Sequence, residues 1–186
     1  VSFSAETRYD RVAQALHWII ALLVIGNLVS GFASDALKPI IRDIVAVHKS
    51  TGLTIFALSV VRIGWRIAHP RVARGIVAQW EKVASGTAHW LFYGLLFLLP
   101  LTGWVFTSAG KYPLSWFWLV SVPKLHIQKG DGLVLLARSS HELLGIVFAV
   151  LAGIHIAAAL RHHFILRDQV LSDMLRSKSN RTRSQT

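Results

Sequence analysis

The sequence has no cysteine and a single methionine, Met174. Without thiols there are no disulfides, no iron–sulfur clusters and no covalent porphyrin attachment through C-x-x-C-H. Met174 stands in the polar C-terminal region, away from every apolar stretch, so methionine ligation of a buried metal is excluded too. Acidic residues are scarce: 9 Asp and Glu face 20 Lys and Arg, for a formal charge of +11. What the chain has in abundance is apolar side chains, 53% of 186 residues, with a mean hydropathy of +0.50. Soluble domains of this size rarely read so apolar. In a membrane chain a basic surplus reflects topology and contact with anionic lipid, so no nucleic-acid partner is expected.

The apolar residues fall into spans of about 11–33, 40–67, 83–109 and 139–163. Their lengths suit a hydrocarbon layer of about 30 Å. The fold class expected is therefore all-α, a four-transmembrane-helix bundle within a domain covering residues 1–176. Residues 177–186 read as a disordered cytoplasmic tail. Thr7 with Asp10, and Ser139 with Glu142, carry capping signals, and Pro39 suits the first turn of a helix. Leu133–Ala137 is also apolar, which leaves an earlier start for the fourth span open. The second span is the least regular, because Lys49 and Arg62 leave twelve uncharged residues between them. The first apolar stretch has no small-residue cleavage site after it and reads as a span rather than a signal peptide. Thirteen of the 20 basic residues fall at the termini and between spans two and three. The positive-inside rule then places both termini in the cytoplasm and residues 110–138 in an outer loop. There Trp116, Phe117 and Trp118 suit the membrane interface.

His141 and His155 lie fourteen residues apart in the fourth span. Fourteen residues is nearly four helical turns, so both rings leave one face, about 21 Å apart along the axis. The expected topology puts His17 near the inner surface beside His155, and His48 near the outer surface beside His141. Histidines inside a bilayer are costly unless partnered. Two depth-matched pairs, with neither thiolate nor thioether available, favour two bis-histidine haems held without covalent bonds. Such an iron has no open position and passes electrons. Taken singly, each histidine also admits the plainer role of an interhelical polar contact.

Other residues carry weaker signals. Arg62 follows His48 by fourteen residues and can reach propionates at the inner level; an ordinary positive-inside flank is the even alternative. Gly52 and Gly145 each follow a histidine by four residues, leaving room for a flat macrocycle or serving helix contact. His89 can touch quinone or a propionate, and His162 a quinone carbonyl, although a satisfied interfacial histidine is the favoured reading for both. His69, His126 and His163 have no case as ligands.

The ordered set R-Y-D-R-V-A-Q-A-L-H-W (Arg8–Trp18), H-K-S-T-G (His48–Gly52), V-V-R-I-G-W-R (Val60–Arg66), S-S-H-E-L-L-G (Ser139–Gly145) and G-I-H-I-A-A-A-L-R-H-H-F (Gly153–Phe164) resembles the bacterial cytochrome b561 family. The resemblance implies a multi-pass inner-membrane protein with two b haems. It places axial ligands at His17, His48, His141 and His155. It also implies electron transfer to ubiquinone, with superoxide oxidase as one activity in the family and superoxide as the donor. The basic outer loop can steer a small anion or contact lipid. Two other readings stay open: a cytochrome b subunit serving a partner dehydrogenase or hydrogenase, and a haem-free transporter that uses its histidines for ions or protons.

Overall fold

In lipid a backbone has no water to bond with, so long uncharged runs satisfy their N–H and C=O groups within a helix. The chain does this four times. A computed structural model describes residues 11–69 and 79–167, the side chains of 81 and 82 excepted. The elements run α1 (Arg11–Phe32), the short α2 (Ser34–Leu37), α3 (Ile44–Ala68), α4 (Gln79–Ser108), a two-stranded hairpin of β1 (Ser115–Trp116) and β2 (Val120–Ser121), and α5 (Gly132–Arg161). One π turn, His162–Leu166, prolongs α5. Four helices, α1, α3, α4 and α5, are long and apolar enough to cross a membrane. The Thr7–Asp10 signal and the tail at 177–186 lie outside the described residues.

Three boundaries differ from the sequence expectation. Pro39 does not open the second span: α2 closes at Leu37, turns follow, and α3 begins at Ile44. Ser139 and Glu142 do not cap the fourth span, because α5 begins at Gly132, two turns earlier. Glu142 instead pairs with Arg138, 3.1 Å away and one turn back on the same helix. The apolar residues Leu133–Ala137 extend the helix backwards, and Asp131 accepts from the Gln128 N–H (2.9 Å) at the turn that starts it. Likewise α4 starts at Gln79 rather than Val83.

The packing order is α1 on α3, α3 on α4 and α4 on α5; among the described residues α1 and α5 make no comparable backbone approach. Ile20, Val24, Ile55, Leu95, Leu96 and Phe148 join all four helices in one buried cluster. Large apolar side chains such as Leu22, Val29, Leu143 and Val150 face outward, as a lipid-facing surface requires.

Residues 115–121 form a hairpin that docks on α3 rather than a free segment. Phe117 and Trp118 both have positive φ, 44° and 61°, and Leu119 N–H closes the turn on the Trp116 carbonyl at 2.9 Å. Such backbone is costly without glycine. It is held from below by Ser50, only 2% exposed. The Ser50 Oγ donates to the Ala46 carbonyl of its own helix at 2.9 Å and accepts from the Phe117 N–H at 2.9 Å, with the Ser115 carbonyl 3.3 Å away. Trp116 Nε1 donates to Thr54 Oγ1 at 2.9 Å. Removing the Ser50 oxygen leaves a part-buried N–H unsatisfied, at about 1–3 kcal/mol. Ser50→Ala is therefore expected to raise the rate of limited proteolysis within 115–121 at least severalfold while far-UV helicity stays unchanged. Ser59→Ala, which removes a hydroxyl bonded only within its own helix, leaves that rate as it is.

Candidate functional site

Two pairs of imidazoles face each other across the bundle, His17, His48 and His141 half-buried and His155 exposed. His17 of α1 and His155 of α5 have ring centroids 6.4 Å apart, with planes at 77°. His48 of α3 and His141 of α5 have centroids 6.2 Å apart, at 80°. α5 thus supplies one ring to each level, and α1 and α3 supply the others.

The His48–His141 level is the more fully built. His48 Nδ1 donates to the Asn27 carbonyl at 3.0 Å, and His141 Nδ1 donates to the Leu99 carbonyl at 3.0 Å. A protonated Nδ1 leaves the lone pair on Nε2. A cavity of about 600 Å³ surrounds the pair, bordered by Gly31, Gly52, Gly103 and Gly145 and, at its polar edge, by Lys49 and Arg138. The glycines at 52 and 145 do border open space, but their added Cβ atoms would meet neighbours only at 3.6 and 3.9 Å. The tight positions are Gly31 and Gly103. A Cβ there would lie 3.0 Å from His48 Cε1 and 3.2 Å from His141 Cε1.

At the other level Phe92 meets His155 edge-on at 5.3 Å, and Phe148 in turn at 5.6 Å. Arg62 lies within electrostatic reach of His17, His89 and His155. His89, whose Nδ1 donates to the Ser85 carbonyl at 2.6 Å, joins this level. Nearby Arg66 donates to the Tyr93 hydroxyl at 3.1 Å. His162 lies at the start of the π turn, half-buried. His69 stacks on Trp65 at 4.2 Å, His163 meets Phe164, and His126 is exposed in the loop.

The donor set fits an iron porphyrin. Among the described residues no three His, Asp or Glu side chains come together, and two imidazoles cannot complete zinc's four-coordinate shell. An iron porphyrin brings its own four nitrogens and would take one or two further ligands from the protein, which a facing pair of imidazoles could supply. A metal–imidazole bond of about 2 Å, plus about 1 Å from nitrogen to ring centre on each side, sets facing centroids about 6 Å apart. Both pairs stand at that spacing. The cavity also falls within the roughly 300–1,000 Å³ typical of ligand and cofactor sites.

The sequence profile of prokaryotic cytochrome b561 matches residues 8–177. The chain belongs to the prokaryotic cytochrome b561 family. Its relatives include cytochrome b561 homolog 2 of Escherichia coli strain K12, 28% identical over 179 residues and covering 93% of this chain and 94% of the relative. Cytochrome b562 of Cereibacter sphaeroides is 29% identical over 180 residues, covering 93% and 98%. The probable superoxide oxidase CybB of Yersinia pestis is 28% identical over 179 residues, covering 92% and 97%. A cytochrome b561 is a multi-pass membrane electron-transfer protein, and the family implies haem b.

Sequence reasoning missed Ser30, Gly31, Thr102 and Gly103, which touch the histidines from neighbouring helices, and Lys49 and Arg138 as the cationic edge of the cavity. The available signal was a hydroxyl residue followed by glycine in mid-span, where small residues mark close helix approach. The glycine geometry is testable. Gly31→Ala and Gly103→Ala must push a histidine ring aside and are expected to lower thermal stability in detergent by about 1–3 kcal/mol. Gly26→Ala and Gly94→Ala, whose added Cβ meets nothing within 4 Å, leave the melting temperature unchanged or higher.

Proposed function

We propose that this cytochrome b561 carries single electrons across the bacterial inner membrane by means of two b haems, and that membrane ubiquinone accepts them. One haem is held by His17 and His155, the other by His48 and His141. The observation that carries this reading is the spacing of the two facing ring pairs, 6.4 and 6.2 Å. When bound, each haem would supply a one-electron couple, with the two imidazoles of its level to hold it.

The chain's own residues do the rest. The Asn27 and Leu99 carbonyls fix the tautomer of His48 and His141, leaving the Nε2 lone pair to hold the metal. Lys49 and Arg138, the latter already paired with Glu142, offer cationic partners to carboxylates at one level, as Arg62 does at the other. Between the levels, Ile20, Val24, Ile55, Leu95, Leu96 and Phe148 exclude water. In the proposed topology both termini are cytoplasmic, the His48–His141 level is periplasmic, and His89 and His162 border the region where quinone binds.

Superoxide is the proposed donor. Support comes from the name of the Yersinia pestis relative and from the basic bias on the same side, where Lys38, Arg42, Lys49, Lys111, Lys124, Lys129 and Arg138 face Asp35, Asp43, Asp131 and Glu142, a net positive field suited to a small anion. In the net reaction two superoxide ions lose one electron each and become dioxygen. The two electrons and two protons convert one quinone to quinol.

Purified protein is expected to hold two b haems per chain by pyridine haemochrome, with His141→Ala and His155→Ala each losing about one. Full retention of both in either variant counts against the assignment, and a colourless, folded wild type ends it. Superoxide is expected to reduce the haems within the mixing time and to drive quinol formation when ubiquinone is added. Haems that superoxide leaves oxidised, but a co-purifying dehydrogenase reduces, would point to a subunit of a larger complex.

A further inference from the structure

His48 and His141 each meet the same three-part construction on the helix beside them. On α1 it is the Asn27 carbonyl, the Ser30 hydroxyl and the bare Cα of Gly31. On α4 it is the Leu99 carbonyl, the Thr102 hydroxyl and the bare Cα of Gly103. In both, carbonyl, hydroxyl and glycine occupy positions i, i+3 and i+4, which share one helix face. The distances match as well. Each Nδ1 lies 3.0 Å from its carbonyl and 3.2 Å from its hydroxyl oxygen.

The direction of the hydroxyl contacts follows from where the hydroxyl hydrogens go. Ser30 Oγ donates to the Asn27 carbonyl at 2.9 Å. Thr102 Oγ1 donates to the Leu98 carbonyl at 2.8 Å and the Leu99 carbonyl at 3.0 Å. With its hydrogen engaged, each hydroxyl oxygen offers Nδ1 only a lone pair. The Nδ1–H is shared between two oxygens, and the hydroxyl fixes the position of the carbonyl that shares it. Ser30 is 7% exposed, so water does not stand in for it.

We propose that Ser30 and Thr102 are matched positioning residues: through Nδ1 they lock the tautomer of His48 and His141 and raise the basicity of both rings, which would lower the reduction potential of an iron held between them. This rests on the haem assignment above. A hydrogen bond accepted from the far nitrogen of a ligating imidazole makes the ring a stronger donor, and partners of this kind affect a metal site about 10–100-fold. A stronger donor favours the ferric form, so deleting either hydroxyl shifts the equilibrium toward the ferrous form.

The test is an optical redox titration of the purified, haem-loaded full chain, with haem per chain counted in every sample. Thr102→Val keeps the shape and loses the oxygen; Thr102→Ser keeps the oxygen. Ser30→Ala and Ser30→Thr make the equivalent comparison. In Thr102→Val and Ser30→Ala, the ferrous-to-ferric ratio of one haem is expected to rise about tenfold at a fixed poise, about 59 mV for one electron. The other haem stays where it was, and Thr102→Ser and Ser30→Thr return the shifted one to the wild-type value. Loss of one haem in the hydroxyl-free variants, with both kept in the hydroxyl-bearing ones, also supports the proposal. Unshifted potentials in both hydroxyl-free variants with two haems retained overturn it alone, as does a Thr102→Ser shift equal to that of Thr102→Val. A wild type without haem overturns the ligand assignment itself.

Discussion

An imidazole in an apolar bundle has two nitrogens to satisfy and little water to satisfy them with. That constraint governs this molecule. At one level the Nδ1 atoms of His48 and His141 are met by backbone carbonyls of neighbouring helices. A main-chain carbonyl can reach a side chain on the next helix only if the two helices come close. Gly31 and Gly103 permit that approach, each lying against the ring it serves. With Nδ1 so engaged, the Nε2 of each ring keeps its lone pair, and the two rings stand 6.2 Å apart beside the cavity.

The material between the two levels complements them. The buried cluster linking the four helices contains aliphatic and aromatic side chains and no titratable group. Electrons can cross such a layer over short distances, whereas a proton requires a chain of donors and acceptors. Polar groups gather at the levels themselves: Lys49 and Arg138 at one, Arg62 and His89 at the other. Among the described residues, these groups lie on either side of an apolar partition. Phe92 and Phe148 lead from His155 into that partition by edge contacts.

The helical spans and the meeting of the histidines in space were readable because both depend on period alone. A fourteen-residue interval fixes a face and a depth, and topology then decides which rings meet; the structure brings His17 to His155 and His48 to His141. Helix ends were less legible. Ser139 and Glu142 match a capping pattern, yet the apolar residues before them continue the helix, and α5 begins at Gly132. The hairpin gave little signal because its turn, at Phe117 and Trp118, takes positive φ without glycine. Its support comes from Ser50, 67 positions from its partner Phe117. Ser30 and Thr102 carry no distinctive motif. Their place follows from which helix packs on which, information that periodicity does not hold.

The packing order has a consequence for biogenesis. α1 with α3, and α4 with α5, form two antiparallel pairs joined along α3 and α4, and each can enter the bilayer as a unit because helices satisfy their own backbones. Every facing histidine pair draws one ring from each unit: His17 or His48 from the first, His155 or His141 from the second. A nascent chain that has threaded only its first two spans therefore holds half of each donor set and cannot grip a ligand from both faces. Arrival of the last helix brings the second ring to both facing pairs together.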